Sequence, residues 1–144
     1  MKKITRSAIV EHSAAFMYGL VEDIDAYPRF LPWCADAKVL ERRDGETLAS
    51  VTASLSGLRQ SFTTRNTNRP GESIEMHLVE GPFRHFEATW RFAPLDGGAS
   101  RIEFQLEYEF ASRALGALLQ PLFDRIADTM VDAFVRHADQ VDAR

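Results

Sequence analysis

Four histidines, one cysteine and a scatter of carboxylates are the residues that could do polar chemistry here, and their spacing assigns them none. His12, His77, His85 and His137 fall on separate segments, without the paired spacing of a zinc site. Cys34 is the sole cysteine, which excludes a cysteine-rich zinc centre and an intramolecular disulfide and suits a reducing compartment. It ends an apolar turn with no base nearby in sequence, so a small buried residue explains it better than a nucleophile. No Gly-x-Ser-x-Gly elbow and no glycine-rich phosphate loop occurs. Glu103, Glu107 and Glu109 follow one another along a single segment and read as a solvated face, not as convergent acid and base. His77 and His85 could each hydrogen-bond a ligand carbonyl, but both fall opposite the apolar residues of their segments, which points them to solvent. No catalytic and no metal-ligating set is expected.

Two other sets could bind without reacting. Arg59, Arg65, Arg84 and Arg91 are candidate contacts for RNA phosphates. Glu87 interrupts them and the net charge is −4, so a mixed solvated face is the simpler account and DNA is not an expected partner. The second set is apolar: Phe62, Met76, Phe86, Trp90, Phe104 and Tyr108, joined by Leu118, Leu119, Leu122, Phe123 and Met130. Any one of these is ordinarily core. Together they could wall a cavity, and methionine adapts to irregular ligands.

The elements that would position these residues follow from periodicity. Residues 3–12 alternate as a strand, with Ile4, Arg6, Ala8 and Val10 on one face. Ser13 offers an N-cap to an amphipathic helix over 14–24. Asp25 caps a second, very short helical turn that carries Pro28 and is closed by Pro32. Period two then takes over in strands 35–43, 46–56, 58–68 and 72–80, a strand through Phe86, Ala88, Trp90 and Phe92, and a last one from Ile102 to Phe110. Asp44-Gly45, Pro70-Gly71, Gly81-Pro82 and Asp96-Gly97-Gly98 punctuate them. The final 33 residues carry a helical stripe from Leu115 to Phe134, with Pro121 expected to kink or break it.

One wet and one buried face per strand implies an antiparallel sheet. The last helix has only that sheet to bury its stripe against, so an α+β fold with a curved sheet and helices on one face is expected. With 144 residues, 45% of them hydrophobic, the chain reads as one domain over 1–144 with a substantial core. No apolar run approaches the length of a membrane span and the start alternates, so no signal peptide is read and a cytoplasmic protein is expected.

Several runs resemble a known family. Asp23-Ile24-Asp25-Ala26-Tyr27-Pro28-Arg29-Phe30-Leu31-Pro32-Trp33-Cys34 is similar to the signature of the coenzyme Q-binding START-domain family, which includes mitochondrial coenzyme Q-binding proteins and bacterial ribosome association toxins once called oligoketide cyclases. The similarity continues through Gln60-Ser61-Phe62-Thr63-Thr64-Arg65, Glu80-Gly81-Pro82-Phe83-Arg84 with Trp90 and Phe92, Phe123-Asp124-Arg125-Ile126-Ala127 and Met130-Val131-Asp132-Ala133-Phe134. It covers nearly the whole chain.

The resemblance implies the helix-grip fold: a seven-stranded antiparallel sheet wrapped around a long C-terminal helix, with two short helices after the first strand and an apolar cavity between. It implies binding of ubiquinone or a related isoprenoid lipid in support of respiration, with no cofactor required, and in some bacterial members contact with the large ribosomal subunit. Because Trp and Tyr favour interfaces, Tyr27, Phe30, Leu31 and Trp33 form either a cavity rim or membrane-touching lip, peripheral at the membrane's inner face, or a plug folded into the sheet's open end, or both if the plug is also the gate. Polyketide cyclisation ranks last. It needs an acid–base pair in the pocket, and of the expected wall only Tyr108 could donate a proton.

Overall fold

The structure, a computed structural model, describes residues 1–142. Strand β1 (Lys2–Val10) leads into helix α1 (Ala14–Glu22), a 3-10 segment (Ile24–Arg29) and six strands: β2 (Cys34–Arg43), β3 (Glu46–Leu55), β4 (Leu58–Arg69), β5 (Ser73–Glu80), β6 (Phe83–Pro94) and β7 (Ser100–Phe110). Helix α2 (Arg113–Asp142) ends the described chain. The seven strands form one antiparallel sheet in the order β1-β7-β6-β5-β4-β3-β2. Strands β2 to β7 are a meander of hairpins, and β1 closes back on β7. This is the helix-grip architecture that the family resemblance implies, and it has the antiparallel sheet with helices on one face that the periodic patterns imply.

Alternation sets the faces. On β7, Ile102, Phe104, Leu106, Tyr108 and Phe110 are buried against the helices. On β6, Phe86, Ala88, Trp90 and Phe92 are buried likewise, but so is Phe83, three residues ahead of Phe86. A register shift between Phe83 and His85 makes Arg84 the extra residue of a bulge, so both phenylalanines turn inward. Gly81 precedes this corner. A Cβ there would stand 3.0 Å from Phe62 Cβ, so the missing side chain lets the β5–β6 turn close onto the core.

Ser13 caps α1 as expected, accepting from the Phe16 amide at 3.0 Å. Asp25 does not cap the 3-10 segment. Asp23 occupies the N-cap without a side-chain bond, and Asp25 Oδ1 instead accepts from the Val39 amide at 3.1 Å, tying the segment to edge strand β2. The expected break at Pro121 is absent, and α2 continues through it. Pro121 and Ala117 are both exposed, so the carbonyl left without a helical partner lies on the wet side.

The stripe of α2 buries Leu119, Leu122, Phe123, Ile126, Phe134 and Ala138 against the sheet. Phe134 is the packing centre. Fully buried, its ring lies 5.5 Å from Tyr27, 5.1 Å from Phe30 and 5.3 Å from Trp90, edge-on to each. It joins helix, 3-10 segment and sheet at one point. Phe134→Ala should therefore destabilise the fold by about 3–5 kcal/mol. A lower urea midpoint with an unchanged m-value would register the loss.

Candidate functional site

Between the middle of the sheet and α2 lies an apolar cavity lined by Tyr27, Trp33, Val51, Phe62, Met76, Phe86, Ala88, Trp90, Phe104, Leu106, Phe123, Ile126 and Met130. Each strand from β3 to β7 contributes by its inward parity. The register pairs Met76 with Ala88 and Ala88 with Leu106, so a small residue sits between two larger ones in mid-wall. That is where the space comes from. The lined region encloses about 510 Å³ of non-atom space, counted to its mouth, yet only about 40 Å³ has room for a water-sized sphere. That exceeds what one water needs, about 10–15 Å³ on this measure. It is too narrow for an isoprenoid tail unless wall side chains move.

The expected wall is met in most but not all positions. Phe62, Met76, Phe86, Trp90, Phe104, Phe123 and Met130 line the cavity. Tyr108, Leu119 and Leu122 are buried in the surrounding core, outside its lining. Tyr108 Oη accepts from Gln120 Nε2 at 2.8 Å and does not face the void as a lone proton donor. Leu118 is 54% exposed and cannot be wall. At 100° per residue it lies about 80° from Ile126, on the opposite side from Phe123 and Phe134. Alternation could have found Val51, Ala88 and Leu106, whose parity matches their bulkier neighbours. Ile126 lies on the expected helical stripe.

The Tyr27–Trp33 turn folds inward. Tyr27, Leu31 and Trp33 are buried, and only Phe30 is half-exposed, stacked at 3.7 Å on His137. A membrane-touching lip made of all four is thereby corrected: the Tyr27 hydroxyl donates to the Val21 carbonyl, holding its ring against Phe134. Tyr27 and Trp33 become part of the wall itself. Burial pushes the Tyr27 hydroxyl pKa upward and, despite Asp23, pulls that of His137 down.

The inner face is less uniformly apolar than expected. Thr47, Thr64 and Asn66 are buried on it, beside the cavity and not in its lining. Thr64 Oγ1 donates to Asn66 Oδ1 at 2.8 Å, and Asn68 Nδ2 donates to Thr47 Oγ1 at 2.7 Å. These polar side chains thus satisfy one another. Among the described residues, Trp33 Nε1 is the buried side-chain polar atom left with no partner.

The arginines stand on the outer face, apart from the cavity. Arg65 meets Glu46 at 3.3 Å, Arg84 meets Glu109 at 3.5 Å and the Ala111 carbonyl at 3.3 Å, and Arg91 meets Gln105 at 3.0 Å. Arg59 is exposed. His77 is exposed beside Glu87, and His85 is on the same outer face; neither lines the cavity. The face is mixed in charge rather than a concentrated cationic patch.

A model of the family described as polyketide cyclase/dehydrase and lipid transport matches residues 10–135. The chain belongs to this family. Within the family it is 43% identical to a protein of Vibrio cholerae named ribosome association toxin RatA, over 98% of each chain. It is 28% identical to the mitochondrial coenzyme Q-binding protein COQ10 homolog B of Xenopus laevis, over 97% of this chain and 59% of that one. An 18 kDa protein of Caulobacter crescentus superposes with a TM-score of 0.78 at 32% identity over the full length of both chains. The Zhui aromatase/cyclase of a Streptomyces species gives 0.85 at 18% identity, covering 99% of this chain and 96% of that one, which is a likeness of fold. No helix of the described chain is long and apolar enough to cross a membrane.

Cys34, buried next to Trp33 in sequence, gives the fold a pH signature. Its thiol is pushed up to about 11, chiefly by burial, against a weaker lowering effect of the Asp36 backbone. Unfolded, a cysteine ionises at about 8.5. Between those values the folded state keeps a proton that the unfolded state has lost, so stability falls as pH rises from about 8.5 through 11. Urea melts across that range should show the decline, and Cys34→Ala should flatten it. At pH 8 a thiol reagent should label Cys34 only upon unfolding.

Proposed function

We propose that this chain binds a long apolar molecule of the isoprenoid quinone class, ubiquinone among them, as a carrier or chaperone supporting respiration. The observation that carries the reading is the apolar cavity between sheet and helix. Among the described residues no Asp, Glu, Lys, Arg or His lines it. Such a wall recognises area rather than charge, at roughly 25 cal/mol per Å² removed from water. Met76 and Met130, on opposite walls, are the unbranched side chains best able to widen a narrow void by changing rotamer. The similarity to a coenzyme Q-binding protein supports the quinone class. The same lining disfavours a cyclase, because the acid–base pair that would move protons on a polyketide has no side chains to supply it.

A second reading is ribosome association through the large subunit, which would block joining of the subunits. It is favoured by the higher identity to the ribosome association toxin. It would use the outer surface, where Arg59, Arg65, Arg84 and Arg91 lie, and so does not compete for the cavity. Contact with the inner face of the membrane would accompany the first reading, as the place where a quinone is collected.

Filling the cavity separates the two. Ala88→Leu adds a branched side chain in mid-wall and should cost about 1–3 kcal/mol in stability. Protein purified from its host should carry quinone detectable by mass spectrometry, and the variant should carry at least ten-fold less. Cosedimentation with the large subunit should be unaffected by Ala88→Leu, and should weaken with salt and on combined substitution of Arg59, Arg65 and Arg84. Wild-type protein that takes up no quinone from vesicles would end the first reading.

A further inference from the structure

We infer that Trp33 is the polar recognition point of the cavity, and that the ligand is therefore an apolar molecule bearing a hydrogen-bond acceptor oxygen, carbonyl in class, rather than a plain hydrocarbon. The inference rests on the cavity reading and narrows it. Trp33 is 4% exposed, lines the cavity, and has an indole Nε1–H without a partner. A buried indole N–H ordinarily finds an acceptor, since leaving it unmade forfeits its bond to water. Every other buried side-chain N or O atom among the described residues is satisfied, down to the Thr64–Asn66 pair. The residue that carries this unpartnered N–H is one of those lining the apolar cavity.

The wall cannot supply the acceptor. Tyr27 Oη is the other hydroxyl or amide-type group on it; it donates to the Val21 carbonyl and is not a partner of Trp33 Nε1, which has none. The remaining lining side chains are aliphatic, aromatic or thioether. Ordered water is a poor substitute, because a buried water needs two to four polar partners and this wall offers few. A ligand oxygen needs only the one donor, with the rest of the molecule lying against apolar wall. The backbone keeps the indole in place. The Trp33 carbonyl accepts from the Ser54 amide at 2.8 Å, and the Cys34 amide donates to the Leu31 carbonyl at 3.0 Å, so the turn is pinned to β3 on one side and to itself on the other. A quinone carbonyl and an isoprenoid ketone both present this chemistry, and a hydrocarbon tail alone does not.

The test uses two probes of equal length, geranylacetone and the hydrocarbon in which its carbonyl is replaced by methylene. Both are titrated into the full chain by calorimetry and followed by the indole ¹H–¹⁵N resonances. For wild type, the ketone should bind more tightly and shift the Trp33 indole resonance, while the hydrocarbon leaves that resonance near its free position. Trp33→Phe keeps an aromatic ring and removes the N–H, and should weaken ketone binding about 5- to 10-fold more than it weakens hydrocarbon binding. Equal weakening for both probes, or no weakening and no indole shift with the ketone, overturns the role of Trp33 while leaving apolar binding in place. Should the variant not fold, the wild-type indole shift still decides. If wild type binds neither probe, the cavity reading itself is lost, and this inference with it.

Discussion

One long helix has to bury a wide apolar stripe against a curved sheet, and it is held to that sheet from one side. Along edge strand β1, inward-parity Lys2 and Arg6 meet Asp124 at 3.5 Å and Asp128 at 3.2 Å, and beyond the strand His12 meets Asp139 at 2.8 Å and Asp142 at 3.2 Å. Residues four apart on helix and strand run in step. Each exposed pair contributes little to stability, but together they select one sliding register of α2 over β1. Among the described residues the opposite side has no such ladder. There the 3-10 segment, the Tyr27–Trp33 turn and the inner side chains of β3 and β4 fill in beneath the helix. The space that remains in the middle is the cavity, so its position follows from how the helix is anchored.

The register also decides which aromatic residues are structural. Phe83, Tyr108, Phe110 and Phe123 pack ring to ring at one end, with Phe83 and Phe123 5.0 Å apart, edge to face. Trp90, Phe104 and Phe134 pack at the other, with Trp90 and Phe104 4.8 Å apart. Between these clusters the wall drops to Ala88 flanked by Met76 and Leu106. Two stiff clusters and a soft middle let the centre yield while the ends keep the sheet's curvature. A void of about 40 Å³ is consistent with that division.

Much of this was legible in the residues. Strict alternation from Ile102 to Phe110 needs no tertiary information, and the stripe of α2 is equally plain. What escaped has physical reasons. Phe83 faces inward because of a bulge at Arg84, and a one-residue slip cannot be seen in an alternation that it resets. Leu118 is apolar and near the stripe, but it lies at the stripe's exposed margin, about 80° around the helix from Ile126. Thr64 and Asn66 carry inward parity, and the hydrogen bond between them is what lets two polar side chains stay buried there. Asp25 looked like a cap because caps are the commonest use of such a residue, whereas an edge-strand amide was the nearer donor. The Tyr27–Trp33 turn left rim and plug open because composition does not say which way a short loop folds.

The separation of inside from outside bears on how one fold can serve relatives with such different names. The cavity is built from inward-parity residues, and every outward-parity residue of the same strands is free to vary without touching it. On the outer face Arg65, Arg84 and Arg91 each have a polar or acidic neighbour in reach, which holds the potential of that surface low. Loss of Glu46, Glu103 and Glu109 together would raise that potential while leaving every wall residue in place. A polyanion-binding exterior and a lipid-binding interior are therefore independent variables of this architecture. Similarity over the whole chain then ranks the two roles less sharply than it fixes the fold, since core and surface can be kept for unrelated reasons.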